Sequence, residues 1–85
     1  MSAEVLPFPR AMDRGYVTRQ ASYAASLRRE KAAAHLRRQI ELQRATMLKR
    51  GIAPERVEIE IERLEQALVA ATRRYGLTLA GGGAA

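Results

Sequence analysis

The sequence predicts an all-α protein: an antiparallel helical hairpin preceded by a shorter helix, with an extended N-terminal arm and a disordered Gly-rich C-terminal tail. Three observations carry this prediction. Leu48-Lys49-Arg50-Gly51-Ile52-Ala53-Pro54-Glu55 reads as a turn between helices, because Gly51 enters the left-handed region without steric penalty and Pro54 suits a first helical turn. Val57, Ile61, Leu64, Leu68, Ala71 and Tyr75 recur in 4-3-4-3-4 steps, the spacing of one helix face. Helix formers dominate from Met12 to Arg50, with neither Pro nor Gly after Gly15 until Gly51.

Residues 1–11 form the arm. Pro7 and Pro9 lack N–H donors and push the residues before them into extended conformations. Val5, Leu6 and Phe8 make this arm apolar, so it either covers a small core or docks on a partner. Residues 12–76 form a single helical domain. Its first helix spans about 13–27, with Asp13 as N-cap. Its second spans about 29–50. Tyr16, Tyr23 and Leu27 share one face, and Ala33, Leu36, Ile40 and Met47 share another. At about 100° per residue these faces point in nearly opposite directions, so a break is expected around Leu27–Glu30. The third helix spans about 54–75, with glutamates at its start, Arg73 and Arg74 at its end, and Gly76 as terminator. Across the turn, Val57, Ile61, Leu64 and Leu68 should meet Leu36, Ile40 and Met47, while Glu60 is assigned to the opposite, exposed side. The tail, 77–85, contains Gly81-Gly82-Gly83 and is too small and flexible to pack.

Composition excludes several classes of function. With 85 residues the chain holds one small domain, marginal by itself. Without cysteine it has no thiol nucleophile, Cys-based zinc site or disulfide scaffold. No basic n-region marks a signal peptide, and no window approaches the roughly 18 apolar residues of a membrane span. A cytoplasmic protein with no membrane partner is expected.

The net charge is +6, and its distribution is uneven. From Arg10 to Arg50 eleven cations face three anions, a balance of +8; from Glu55 to Arg74 four cations face five anions, a balance of −1. Arg28, Arg29, Lys31, Arg37, Arg38, Arg44 and Lys49 are therefore the candidate nucleic-acid-binding residues, contacting phosphates without reading sequence. A helix-turn-helix reading fails, because the recognition helix would carry Glu55, Glu58, Glu60 and Glu62 into a polyanionic groove.

Several stretches together carry a resemblance: Val5-Leu6-Pro7-Phe8-Pro9, Tyr16-Val17-Thr18-Arg19-Gln20, Ala33-Ala34-His35-Leu36, and Arg50-Gly51-Ile52 leading to Val57 and Leu64-Glu65. Over about residues 5–75 the chain resembles a family of small uncharacterised bacterial proteins with an N-terminal Pro-Phe-Pro element and a C-terminal helical hairpin. The resemblance implies a helix restart near Leu27–Arg29. Arg28-Arg29 stands where such proteins have Ser-Pro, so a softer break is expected here. It implies a fold and no activity.

Catalytic chemistry finds little support. His35 is the only histidine, and its neighbours at i−4 and i+4, Lys31 and Gln39, supply no carboxylate. Glu58, Glu62 and Glu65 share a helix face, but beside the basic end of the preceding helix they read as a charge-pairing surface. No catalytic, metal or cofactor residue is assigned and no small-molecule substrate is expected. The reading is a small non-enzymatic helical interaction module, an accessory or regulatory protein that binds another protein or itself. Docking would use Val5, Leu6 and Phe8. The alternative is a nucleic-acid-associated protein binding phosphate backbone through the first two helices.

Overall fold

A computed structural model describes residues 10–76; the arm residues Val5, Leu6 and Phe8 and the tail 77–85 lie outside the described residues. Within that span the fold is all-α. A 3-10 turn at Arg10–Met12 leads into α1 (Arg14–Ala25), α2 (Arg29–Lys49) and α3 (Pro54–Arg74). Helical character thus begins at Arg10, slightly before the predicted end of the arm.

Local chemistry sets each boundary. Asp13 is extended, and its carboxylate accepts the Tyr16 backbone N–H at 3.0 Å, as an N-cap should. That hydrogen bond, reinforced by Arg10 at 3.0 Å, holds the Asp13 carboxyl below its ordinary pKa. The Arg10 guanidinium also lies 5.1 Å from the centre of the Tyr16 ring. α1 stops at Ala25, two residues earlier than predicted. The Ser26 and Leu27 N–H groups turn back to Tyr23 and Ala24, and Arg28 is fully extended at φ −65°, ψ 154°. The break is therefore complete and not soft, and residues 13–50 form two helices. α2 ends in a Schellman arrangement: Gly51 at φ 86° donates to the Leu48 carbonyl and Ile52 to the Met47 carbonyl. Ile52 and Met47 then pack together, the apolar contact that accompanies this cap. Pro54 opens α3, and Gly76 at φ 79° follows its end.

The helices run up, down and up. Tyr16 Oη approaches Gln39 and His35 meets Gln20, so α1 is antiparallel to α2. Arg44 meets Glu58, so α2 is antiparallel to α3. α1, α2 and the 3-10 turn all contact α3. α1 is only 12 residues long against 21 for each hairpin helix, so it covers one half of the hairpin. There the core is three-helical, built from Tyr16, Val17, Ala21 and Ala24 of α1 with Ala32, Leu36, Leu64 and Leu68. At the turn end Met47, Ile52, Val57 and Ile61 form a smaller cluster, and Ile40 touches both.

Four expectations about faces need correction. Tyr23 is 54% exposed, because the buried face of α1 runs through Val17, Ala21 and Ala24. The tyrosine flank looks toward α2 instead. On α2, Ala32 is buried while Ala33 is only half-buried. Tyr75 caps α3 at the end of the bundle and is half exposed. Glu60 is 5% exposed, not solvated. It stands four residues before Leu64, and residues i and i+4 share a helix face, so it could not lie opposite. Arg56 and Arg63 each reach one Glu60 oxygen at 3.3 Å, while Glu60 Oε1 is buried without a hydrogen-bond partner.

Candidate functional site

α1 covers one side of the hairpin and leaves the other bare. On the bare side α2 and α3 bound an open groove of about 970 Å³. Its floor is apolar: Leu36, Ile61 and Leu68 are buried, while Ala33, Ile40 and Val69 are half-buried and reach solvent. The walls differ in charge. α2 contributes Arg37 and Arg44, with Glu41 beside Arg44; α3 contributes Glu58, Glu62 and Glu65, with Arg73 at its far end.

The two walls touch at one level. Arg44 Nε and Nη2 donate to both oxygens of Glu58 at 2.9 and 3.2 Å, and Nη1 donates to Glu41. This bidentate fork raises the Arg44 pKa above its ordinary value and lowers that of Glu58, each stabilising the other's charged form. The charge pairing expected of the glutamate face thus holds for Glu58. Glu62 and Glu65 make no ion pair among the described residues, and neither does Arg37.

The seven candidate phosphate-binding cations do not converge. Arg28 and Arg29 sit at the α1–α2 break. Lys31, Arg38 and Lys49 project from the exposed outer side of α2, away from the core residues Leu36 and Met47. Arg37 and Arg44 belong to the groove wall, and Arg44 is already held by two carboxylates. Among the described residues, Arg28, Arg29, Lys31, Arg37, Arg38 and Lys49 make no ion pair and are exposed.

His35 occupies the α1–α2 seam, half-buried. Its Nε2 lies 2.7 Å from Gln20 Oε1, and its ring meets the Tyr23 ring edge-on at 4.7 Å. An amide fixes the ring, where a general base would need a carboxylate. Burial, and secondarily the charge of Arg38, depress its pKa. Among the described residues no group of three or more His, Asp or Glu is placed to hold a metal ion. No helix among them is long and apolar enough to cross a membrane.

A family model matches residues 1–83. The chain belongs to DUF6074, a family of unknown function. The resemblance to an uncharacterised family is thereby established over nearly the whole chain. No curated protein and no solved structure shows significant similarity to the chain. DUF6074 membership brings no activity with it, so the function has to be argued from the surfaces described above.

The groove escaped the sequence reading. Its signal was present in the half-buried Ala33, Ile40 and Val69, which a strict apolar stripe assigns to the core or overlooks. Seeing it requires knowing on which side α1 lies.

Proposed function

We propose that the chain is a small non-enzymatic helical interaction module, an accessory or regulatory protein that binds a helical segment of another protein or of a second copy of itself through the α2–α3 groove. The observation that carries this is the groove itself, with apolar side chains on its floor and opposite charges on its walls. A helix laid there would bury Ala33, Ile40 and Val69 and meet Arg37, Glu62, Glu65 and Arg73, the wall charges that have no ion-pair partner of their own among the described residues. Small alanines at the edge, Ala33 and Ala70, favour close approach. The narrow core of a chain this size adds a thermodynamic reason to gain contacts from outside.

Site-specific photo-cross-linking in the native cell tests this. A photoreactive side chain at Gln66 or Ala70, both exposed at the groove, should yield discrete adducts. The same group at Thr18, exposed on α1, should yield none. Adducts equally abundant at Thr18, or absent at all three positions, would contradict the reading.

A second reading keeps one observation of its own: Lys31, Arg38 and Lys49 are exposed cations on the side away from the groove, with Arg28 and Arg29 exposed at the α1–α2 break. They suit salt-sensitive binding to phosphate backbone. Duplex DNA or RNA binding at low salt, weakening linearly with log salt and lost on changing Lys31, Arg38 and Lys49 to Gln, would support it. No binding at low salt removes it.

A further inference from the structure

The pattern of charge along the groove specifies an occupant. We infer that a second copy of this chain covers the groove, groove facing groove, related by a two-fold axis parallel to the helices, so that α2 of each copy lies antiparallel on α3 of the other. This rests on the interaction reading above and narrows it to one partner.

The register comes from the Arg44–Glu58 pair, which fixes those two residues at one level of the antiparallel hairpin. Seven residues toward the start of α2 is Arg37; seven residues toward the end of α3 is Glu65. Antiparallel helices rise equally, so Arg37 and Glu65 share a level about 10 Å from the first pair. Another seven residues on α2 gives Glu30, and eight on α3 gives Arg73. Seven residues is close to two full turns, so Arg44, Arg37 and Glu30 share one side, as do Glu58 and Glu65, and Arg73 lines the groove with them. Reading away from the turn, α2 presents Arg44, Arg37 and Glu30, while α3 presents Glu58, Glu65 and Arg73. At these three levels the two helices carry opposite charges; between the first two, Glu41 and Glu62 form one acidic level.

Two copies can meet face to face about a two-fold axis in two ways. An axis across the helices, lying in the plane of the face, seats α2 on α2 and α3 on α3. Arg37 and Arg44 would then meet Arg37 and Arg44, and Glu58 and Glu65 would meet Glu58 and Glu65. An axis along the helices seats α2 on α3 at unchanged height, so Arg37 of each copy meets Glu65 of the other. The same operation brings Glu30 near Arg73. Glu41, the carboxylate that breaks the cationic wall of α2, is already held by Arg44. Like charges facing each other across an interface are strongly unfavourable, so the charge pattern selects the second arrangement. An isologous interface needs this self-complementarity. Two helices of 21 residues present a face roughly 31 Å long and 20 Å wide, about 600 Å² per copy. That sits at the lower end of specific interfaces and suits a reversible dimer.

Sedimentation equilibrium of the full chain over a concentration series tests this, with charge exchange at the central pair. The parent should pass from the 9.4 kDa monomer to a dimer, and salt should weaken the dimer. Arg37→Glu alone sets two carboxylates against each other at both symmetry-related contacts, and Glu65→Arg alone does the same with two guanidinium groups. Each should raise the dissociation constant by about tenfold or more. An equimolar mixture of the two single variants should restore dimerisation, since the mixed dimer sets opposite charges against each other at both contacts. The doubly exchanged chain should dimerise as well. Mixing cannot repair a defect confined to one chain, so it separates this interface from a pairing of Arg37 with Glu65 within one molecule. Both positions are exposed, and helical circular dichroism should be unchanged. A parent that stays monomeric at every concentration overturns the inference. So does a dimer indifferent to both single exchanges, or single variants that remain helical while neither their mixture nor the doubly exchanged chain reassociates. A monomeric parent that still cross-links a different protein from Gln66 or Ala70 would leave the interaction reading standing while the self-pairing falls.

Discussion

Glu60 is only partly satisfied in its buried position. One of its oxygens meets Arg56 and Arg63, both well exposed, while the other is buried and unpartnered. A buried ion pair of this kind contributes little net stability, because desolvation offsets most of the attraction. Glu60→Met, similar in volume, should therefore leave stability within about 1 kcal/mol of the parent or raise it. Glu60→Lys would bury a cation between Arg56 and Arg63 and should lose about 3–5 kcal/mol. Thermal melts followed by circular dichroism separate the two; equal losses from both variants would mean that Glu60 is held by its charge. His35 makes the second prediction at this scale. Its pKa in the folded chain lies below its ordinary value, so on acidification the unfolded chain takes up the proton first. The contribution of His35 is full above its ordinary pKa of 6.5 and declines as pH falls from there toward the depressed value. The melting temperature of the parent should fall more steeply between pH 7 and pH 5 than that of His35→Gln. Parallel profiles would contradict the seam environment of the ring.

At the scale of elements, α3 is the member on which the others assemble, since both helices and the 3-10 turn contact it. Leu64 lies near its middle and is 1% exposed, packed in the three-helix cluster. Leu64→Ala should cost about 2–5 kcal/mol, a large share of what a domain this small holds. Loss of helical circular dichroism at 37 °C would follow, whereas a variant melting like the parent would move the core face elsewhere. α3 was legible in the sequence because large apolar residues repeat without interruption from Val57 to Leu68. The turn was legible because Gly51 and Pro54 each have a narrow conformational meaning. α1 was read poorly for a physical reason. Its buried face is largely alanine, Ala21 and Ala24, which permits close helix approach and carries little hydrophobic signal. Of the more conspicuous tyrosines, Tyr16 is buried in the core as expected, while Tyr23 lies half exposed on the seam with α2, edge-on to His35. Arg28–Arg29 gave no strong breaker signal either; the break there follows from the two apolar faces, which cannot share one straight helix.

At the scale of the whole molecule, the short α1 is what creates a surface to use. A hairpin alone would expose two apolar sides. α1 covers one of them over half its length and leaves the groove between α2 and α3 open on the other. The seven candidate cations were each visible in the sequence, but their distribution between the groove wall and the outer side of α2 was not. That division depends on where α1 sits and on Arg44 bridging to Glu58. The central claim is that the groove is the binding face and that a second copy occupies it. Intermolecular paramagnetic relaxation tests it most directly. The chain has no cysteine, so Gln66→Cys places a single nitroxide at the groove edge. Mixed with an isotope-labelled, spin-free parent chain, it should broaden amide signals of α2 around residues 33–40 in the partner and leave those of α1 sharp. Broadening centred on α1, or none at concentrations where the chain sediments as a dimer, would contradict the account.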